Sequence, residues 1–177
     1  AYDDLLTSRP EWRGKVVFGA FLYPSRETLP EYLAYRQEVE FLARYVNDRW
    51  GTPDWKPVWL DMSDNYCRSV AALVRYDVLL VNPVRDGLNL VAKEGALVNR
   101  RHGVVALSRE AGVWDELGST ALELNPFDVA GTSDVLATAL AMAPDEREAH
   151  ASALRKLTEA RAPRDWLDDQ LRAASKV

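Results

Sequence analysis

Residues 76–101 read YDVLLVNPVRDGLNLVAKEGALVNRR, and this stretch decides the fold. After Asp77, the run to Val81 is continuously apolar, rich in strand-forming residues and too short to span a membrane. Such a run is typical of a strand that is buried on both faces of a parallel sheet. Asn82 and Pro83 end the strand, because proline has no amide hydrogen to give to a neighbouring strand.

A tight turn and a helix follow this strand. Residues 85–89 contain a glycine and form the turn, and residues 90–99 have helical periodicity. We expect four apolar residues on one side of the helix and two charged residues on the other. The apolar residues are Leu90, Val91, Leu97 and Val98, and the charged ones are Lys93 and Glu94.

The start of this helix has the properties of an anion-binding site. The first amide groups of a helix have no partner within it, and the helix dipole places partial positive charge there, so phosphate or pyrophosphate binds well. Gly87 lets a ligand approach the backbone, and Asp86 can accept hydrogen bonds from sugar hydroxyls. Glu94 is placed to hold a ribose diol. The alternative is that Asp86-Gly87 is only a turn, with Asp86 a helix cap and Glu94 a solvated charge.

Four stretches resemble the retaining glycosyltransferases of the trehalose-6-phosphate synthase family, which is glycosyltransferase family 20. Residues 85–94, RDGLNLVAKE, are similar to the family signature RDGMNLVAKE, from which Leu88 departs. Residues 105–112 resemble its VLS-x-x-AG segment, and residues 124–128 resemble its VNP[YF]D. Residues 24–26, Pro-Ser-Arg, agree in lying between an apolar strand and a helix. The order and spacing hold over residues 1–147.

The resemblance implies the C-terminal half of a GT-B fold. This is an α/β fold with an open, mainly parallel, Rossmann-like sheet and helices on both faces. Residues 1–162 would form the nucleotide-sugar-binding domain, and residues 163–177 a helix that packs toward the N-terminal domain. We expect that domain, the first strand and an Arg/Lys loop for the donor diphosphate to be missing upstream of residue 1. The chain alone is therefore expected to be inactive.

The resemblance also implies a reaction and a role for individual residues. Glucose would pass from a nucleoside-diphosphate glucose to the sugar phosphate acceptor glucose 6-phosphate with retention, without a metal, a cofactor or an enzyme nucleophile. Residues 61–67 would receive the base, largely through backbone groups, and nothing local identifies that base. The implied site consists of Asp86 and Gly87 for the donor sugar, the amides of Leu88, Asn89 and Leu90 for the diphosphate, Glu94 for the ribose, and Arg26 for the acceptor phosphate.

Two alternatives to this function remain open from the sequence. A relative with another acceptor, such as a cyclitol phosphate or glycerol 3-phosphate, would also use Arg26. A non-catalytic module that binds a nucleotide sugar for regulation or assembly would keep the donor site without the reaction.

Composition limits the class of protein. The 177 residues, 47% of them hydrophobic, are enough for a domain with a real core. A net charge of −5 argues against nucleic acid as a partner, and no apolar run approaches the length of a membrane span. One cysteine excludes an internal disulfide, and with two histidines a Cys/His metal site is not expected. We expect a cytoplasmic protein.

The remaining elements follow from periodicity. We predict a buried strand over residues 15–22 and a helix over residues 31–50 whose aromatic stripe lies in the core. Thr132 or Ser133 is expected to cap a helix. A last helix over residues 163–174 carries Trp166, which we expect to be exposed when the N-terminal domain is missing.

Overall fold

The computed structural model describes residues 1–23 and 29–175. Helices and parallel strands alternate along the chain up to α6, as predicted, and two further helices follow. The helices are α1 (Tyr2–Ser8), α2 (Pro30–Trp50), α3 (Tyr66–Arg75), α4 (Leu90–Val98), α5 (Trp114–Leu117), α6 (Val129–Ala141), α7 (Pro144–Glu159) and α8 (Pro163–Ala174). The strands are β1 (Phe18–Phe21), β2 (Val58–Asp61), β3 (Val78–Val81), β4 (Val104–Ser108) and β5 (Leu122–Leu124).

The chain divides into two compact units, Ala1–Ala72 and Leu73–Val177. Each unit has its own parallel sheet, with the order β1-β2 in the first and β3-β4-β5 in the second. The α/β class and the parallel strands are therefore confirmed. The predicted boundary between residues 162 and 163 separates the nucleotide-sugar-binding domain from the last helix, which is not the division observed here. It stays a prediction.

In the first unit, one side chain of α2 makes two hydrogen bonds to the backbone of β2. Asn47 Nδ2 donates to the Val58 carbonyl at 3.0 Å, and the Val58 amide donates to Asn47 Oδ1 at 2.8 Å. The core at this point contains Leu6, Val46 and Val58. Only the C-terminal part of α2 is thereby buried.

The predicted core position of the aromatic stripe of α2 holds only at the C-terminal end, where Trp50 packs against the core, and it is wrong for the two tyrosines. Tyr32 and Tyr35 are 38% and 67% exposed, and Val46 is the only buried residue of this helix. The reason is length: 21 residues of helix span about 32 Å, whereas the four residues of β2 span about 13 Å. The short sheet of the first unit covers one end of the helix only.

In the second unit, β4 is the strand that is buried along its whole length. It pairs with β3 on one side and β5 on the other. The prediction that β3 is buried on both faces holds only for Val81, because β3 ends this three-stranded sheet and its other residues are half-buried. Val105 and Leu107 of β4 share a core with α4 and α7, whereas α6 contacts all three strands.

Helix α4 packs through small residues, which corrects the predicted apolar face. Ala92, Gly95 and Ala96 are buried, whereas Leu90 and Val91 are 58% and 46% exposed. A Cβ added to Gly95 would lie 2.6 Å from Leu79 Cδ2 of β3. The helix therefore approaches the sheet too closely for larger side chains at this face, and its bulky residues point away.

The start of α6 also differs from the prediction. Asp128, not Thr132 or Ser133, caps this helix, and its Oδ1 accepts from the Gly131 amide at 2.8 Å. Thr132 and Ser133 lie inside the helix and are buried. The sequence held three possible caps within six residues, and burial of two of them in the core decided between them. Helix α8 spans the predicted residues, and Trp166 is 57% exposed.

None of the helices in the described part of the chain is long and apolar enough to cross a bilayer.

Candidate functional site

Two loops meet at the carboxyl end of the sheet in the second unit. The Asp86 amide, in the loop after β3, donates to the Glu110 carbonyl at 3.1 Å, and the Gly112 amide donates to the Asp86 carbonyl at 3.0 Å. Asp86 and Ala111 thereby form an isolated parallel bridge. Ligands of open parallel sheets bind outside this edge.

The carboxylate of Asp86 is turned back toward its own loop. Its Oδ2 accepts from Asn89 Nδ2 at 2.9 Å, and its Oδ1 accepts from the Leu88 amide at 3.3 Å. The second distance is beyond the usual range for an N–H···O bond, so this bond is weak. Asp86 therefore keeps capacity to accept further hydrogen bonds from a ligand.

Asn89 determines how α4 begins. Its backbone is left-handed, with φ 72° and ψ 84°, a conformation that asparagine adopts more readily than most residues. Its Oδ1 accepts from the Ala92 amide at 3.1 Å, so Asn89 is the N-cap. The backbone amides of Asn89 and Leu90 donate to no acceptor within residues 1–23 and 29–175. Two of the three amides predicted to bind a diphosphate are thus free, and the third is weakly engaged.

The space around Gly87 is open on one side and filled on the other. A Cβ added to Gly87 would meet no atom within 4 Å, whereas a Cβ added to Gly112 would overlap the carbonyl oxygen of Gly87. The loop after β4 therefore supports the Gly87 backbone from one side. A ligand has access from the other side.

Glu94 is exposed on α4 and has no hydrogen bond or ion pair with the described residues. Its neighbour Lys93 differs, since Lys93 Nζ lies 2.6 Å from Glu116 Oε2. Arg109, which directly follows β4, is also engaged, because Glu123 binds its guanidinium at 2.6 and 2.7 Å. Glu94 is therefore a carboxylate without a structural partner in this part of the chain.

Two of the predicted binding regions are not part of the second unit of the chain. Arg26, predicted for the acceptor phosphate, is outside the described residues. The loop predicted to receive the base belongs to the first unit, where Asp61 pairs with Arg68 and accepts from the Ser63 amide at 2.9 Å. Asn65 caps α3 through the Arg68 amide at 2.9 Å.

Sequence reasoning missed the support that the second loop gives. The turns at residues 86–89 and 109–112 both follow strands and are therefore expected on one rim of the sheet, but the sequence did not show that Glu110, Ala111 and Gly112 hold the Asp86–Gly87 backbone. The signal available in the sequence was Gly112, which follows Ala111 just after a strand and suggests a close approach of another backbone. Among the described residues, no group of His, Cys, Asp or Glu is arranged to hold a metal ion.

Comparison with known proteins identifies the family. A sequence profile for glycosyltransferase family 20 matches residues 1–176. The chain belongs to glycosyltransferase family 20. Among its relatives in this family, a bifunctional trehalose-6-phosphate synthase/phosphatase of Thermoproteus tenax is 38% identical over 149 residues, which are 83% of this chain and 20% of the relative. A UDP-forming alpha,alpha-trehalose-phosphate synthase of Botryotinia fuckeliana is 37% identical over 158 residues, 88% of this chain and 30% of the relative.

Solved structures of family 20 members have the same fold. The E. coli trehalose-6-phosphate protein bound with UDP-2-fluoro glucose superposes with a TM-score of 0.93 at 28% identity, covering 99% of this chain and 40% of that one. A UDP-forming synthase of Burkholderia xenovorans in complex with glucose-6-phosphate gives 0.90 at 32% identity, covering 97% and 38%. The chain thus matches between a fifth and two fifths of the length of these family members.

Proposed function

We propose that this chain is the donor-binding part of a retaining glycosyltransferase that transfers glucose from UDP-glucose to glucose 6-phosphate. The proposed product is trehalose 6-phosphate. The proposal draws on relatives described as UDP-forming synthases and on neighbours solved with UDP-2-fluoro glucose and with glucose-6-phosphate. The activity belongs to a longer polypeptide that includes an N-terminal GT-B domain.

One observation carries the proposal: the free amides at the start of α4 lie beside the open face of Gly87. The amides of Asn89 and Leu90 would donate to the donor diphosphate, and the dipole of the nine-residue helix adds to the attraction. The Leu88 amide joins them if the diphosphate replaces its long bond to Asp86. Donor glucose would then lie against Gly87, with its hydroxyls donating to the Asp86 carboxylate.

The chemical demand of the reaction agrees with such a site. Negative charge develops on the diphosphate as the bond between sugar and oxygen breaks, and fixed donors placed where charge develops lower the barrier. The Asn89 side chain holds its own backbone through two bonds, to Asp86 and to the Ala92 amide, so these donors are already oriented before the donor binds. No nucleophile from the chain is required.

The remaining contacts are proposed from the family pattern. Glu94, exposed and without a structural partner among the described residues, would accept from the ribose hydroxyls. Arg26 would bind the acceptor phosphate through its planar guanidinium. Helix α8, with Trp166 exposed, would pack toward the N-terminal domain. A cytoplasmic location fits a chain whose single cysteine is a free thiol.

The test is an acceptor comparison with the longer polypeptide that contains this chain. We expect trehalose 6-phosphate from UDP-glucose and glucose 6-phosphate, and loss of the product when Asp86 is replaced by alanine. If the polypeptide transferred glucose to a cyclitol phosphate or glycerol 3-phosphate in preference to glucose 6-phosphate, that compound would be the acceptor instead. Binding of UDP-glucose with no transfer to any acceptor would instead show a non-catalytic module.

A further inference from the structure

A cavity lies at the opposite end of the sheet from the proposed donor site. It has a volume of about 130 Å³ and is bounded by the residues before β3 and β4, the end of α4, and the middle of α7. We call it the amino-end cavity. Its polar lining residues are Tyr76, Asn99, Arg100, His102, Ser152 and Arg155.

Asn99 builds the wall of the amino-end cavity. This buried side chain donates to the Tyr76 carbonyl at 2.9 Å and accepts from the Gly103 amide at 2.8 Å. Arg155 of α7 donates to the Asn99 carbonyl at 3.0 Å. The loop that carries Arg100 and His102 is therefore held in one conformation, with His102 left-handed at φ 52°.

Tyr76 has a hydroxyl group without a hydrogen-bond partner among the described residues, beside the amino-end cavity. Its ring lies directly against Gly103, where an added Cβ would overlap it. Its hydroxyl is buried and has no hydrogen-bond partner in the described part of the chain. Burial raises the pKa of Tyr76, and the nearby positive charge of Arg155 opposes that shift. The hydroxyl thus stays protonated and remains a donor, although a buried donor without an acceptor is costly.

The charges around the cavity have one sign. Arg100 and Arg155 line it, and none of the described residues that line it is an aspartate or a glutamate. Arg155 donates one hydrogen bond to the Asn99 carbonyl, and Arg100 is exposed with no ion pair to the described residues. A water molecule occupies about 30 Å³ in the liquid, so the cavity has room for a group of several heavy atoms.

We propose that the amino-end cavity binds the phosphoryl group of a small phosphate, separately from the donor and acceptor sites of the proposed reaction. The guanidinium groups of Arg100 and Arg155 would pair with the phosphoryl oxygens, since charge-assisted bonds from arginine to phosphate are the strong ones. The Tyr76 hydroxyl, which is closed to solvent in the unliganded chain, would donate to a third oxygen once the neighbouring Arg155 side chain turns toward the phosphate. Inorganic phosphate and a phosphate ester share this chemistry.

The test is thermal unfolding of the chain with increasing inorganic phosphate, or glucose 6-phosphate, against sodium chloride of equal ionic strength. A ligand that binds the folded state raises Tm. We expect a rise with phosphate that is lost in Tyr76→Phe and in Arg100→Ala. It should persist in the matched controls Tyr35→Phe and Arg164→Ala, whose residues are exposed. A larger rise with glucose 6-phosphate would identify an ester as the ligand, and an equal rise would identify free phosphate.

Tyr76→Phe also separates binding from folding. Without phosphate this variant should be at least as stable as the parent, because the lost hydroxyl had no partner among the described residues. Chemical shift changes of the Gly103 and Ala151 amides on adding phosphate would place the ligand in the cavity. Changes confined to Gly87 and Leu90, a Tm rise that survives both substitutions, or no rise above the chloride control would each overturn the proposal.

Discussion

Gly112 and Gly87 lie back to back at the carboxyl edge of the sheet. The Gly112 Cα faces the Gly87 carbonyl so closely that no side chain fits between them, while the other side of Gly87 is empty. The loop after β4 thus holds the loop after β3 from behind, through the bridge between Asp86 and Ala111. The two glycines therefore have different physical requirements, which substitution can separate.

Gly112→Ala should destabilise the fold by about 1–3 kcal/mol, the usual cost of overpacking a close contact. The added methyl must push the Gly87 backbone away, because the obstructing atom is a carbonyl oxygen rather than a flexible side chain. Urea unfolding would measure this loss. Gly87→Ala is the matched variant and should change stability little, since its methyl enters open space, but it should weaken donor binding in the longer polypeptide. Equal losses of stability in both variants would contradict this account.

Asn89→Ala should cost more stability than Asn89→Gly. Alanine loses the cap bond to the Ala92 amide, worth roughly 0.5–2 kcal/mol, and must also adopt a left-handed backbone, which costs roughly 1–2 kcal/mol more. Glycine loses the same bond but accepts the φ of 72° without strain. Denaturant unfolding of the two variants would compare them. If alanine were tolerated as well as glycine, the left-handed cap would not exist in solution.

Glu94→Ala should weaken binding of the donor by roughly 1–3 kcal/mol, the cost of removing a charged hydrogen-bond partner. Stability should not change, because the side chain is exposed and has no partner among the described residues. Calorimetric titration of the longer polypeptide with UDP-glucose would measure the first effect. Glu148→Ala, an exposed glutamate of α7, is the control. An unchanged dissociation constant in Glu94→Ala would remove the ribose assignment.

Arg26→Ala should raise the KM for glucose 6-phosphate much more than the KM for the donor. The physical reason is that a guanidinium bound to a phosphate acts on the acceptor only. Steady-state kinetics of the longer polypeptide, with each substrate varied in turn, would measure both constants. Arg44→Ala, an exposed arginine of α2, is the control. An equal rise in both KM values would show that Arg26 does not select the acceptor.

Local patterns were enough for several elements. The strand before residue 82, the turn at Asp86 and Gly87 and the helix from Leu90 follow from propensity and from residues that stop a strand, and each lies where it was predicted. Helix α8 was also predicted at its observed residues. These features depend on neighbours within a few positions in the chain.

Local patterns did not predict which face of a helix is buried. The apolar side of α4 was predicted to face the core, but the small side does, because the Gly95 backbone approaches Leu79 of β3. The tyrosines of α2 were predicted to be buried, but β1 and β2 are too short to cover them. Both outcomes depend on how near and how long the packing partner is, and residue periodicity contains neither quantity.

The sequence by itself determined the alternation of strands and helices, the parallel arrangement and the glycine turn that leads into α4. Only the tertiary structure decided that Asn89 holds its own backbone, that the loop around Ala111 supports Asp86, and that Tyr76 and Arg155 line one cavity. The first group depends on local propensity and hydrophobic pattern. The second joins residues that are far apart in the chain, and their contacts exist only once the sheet has brought the strand ends together.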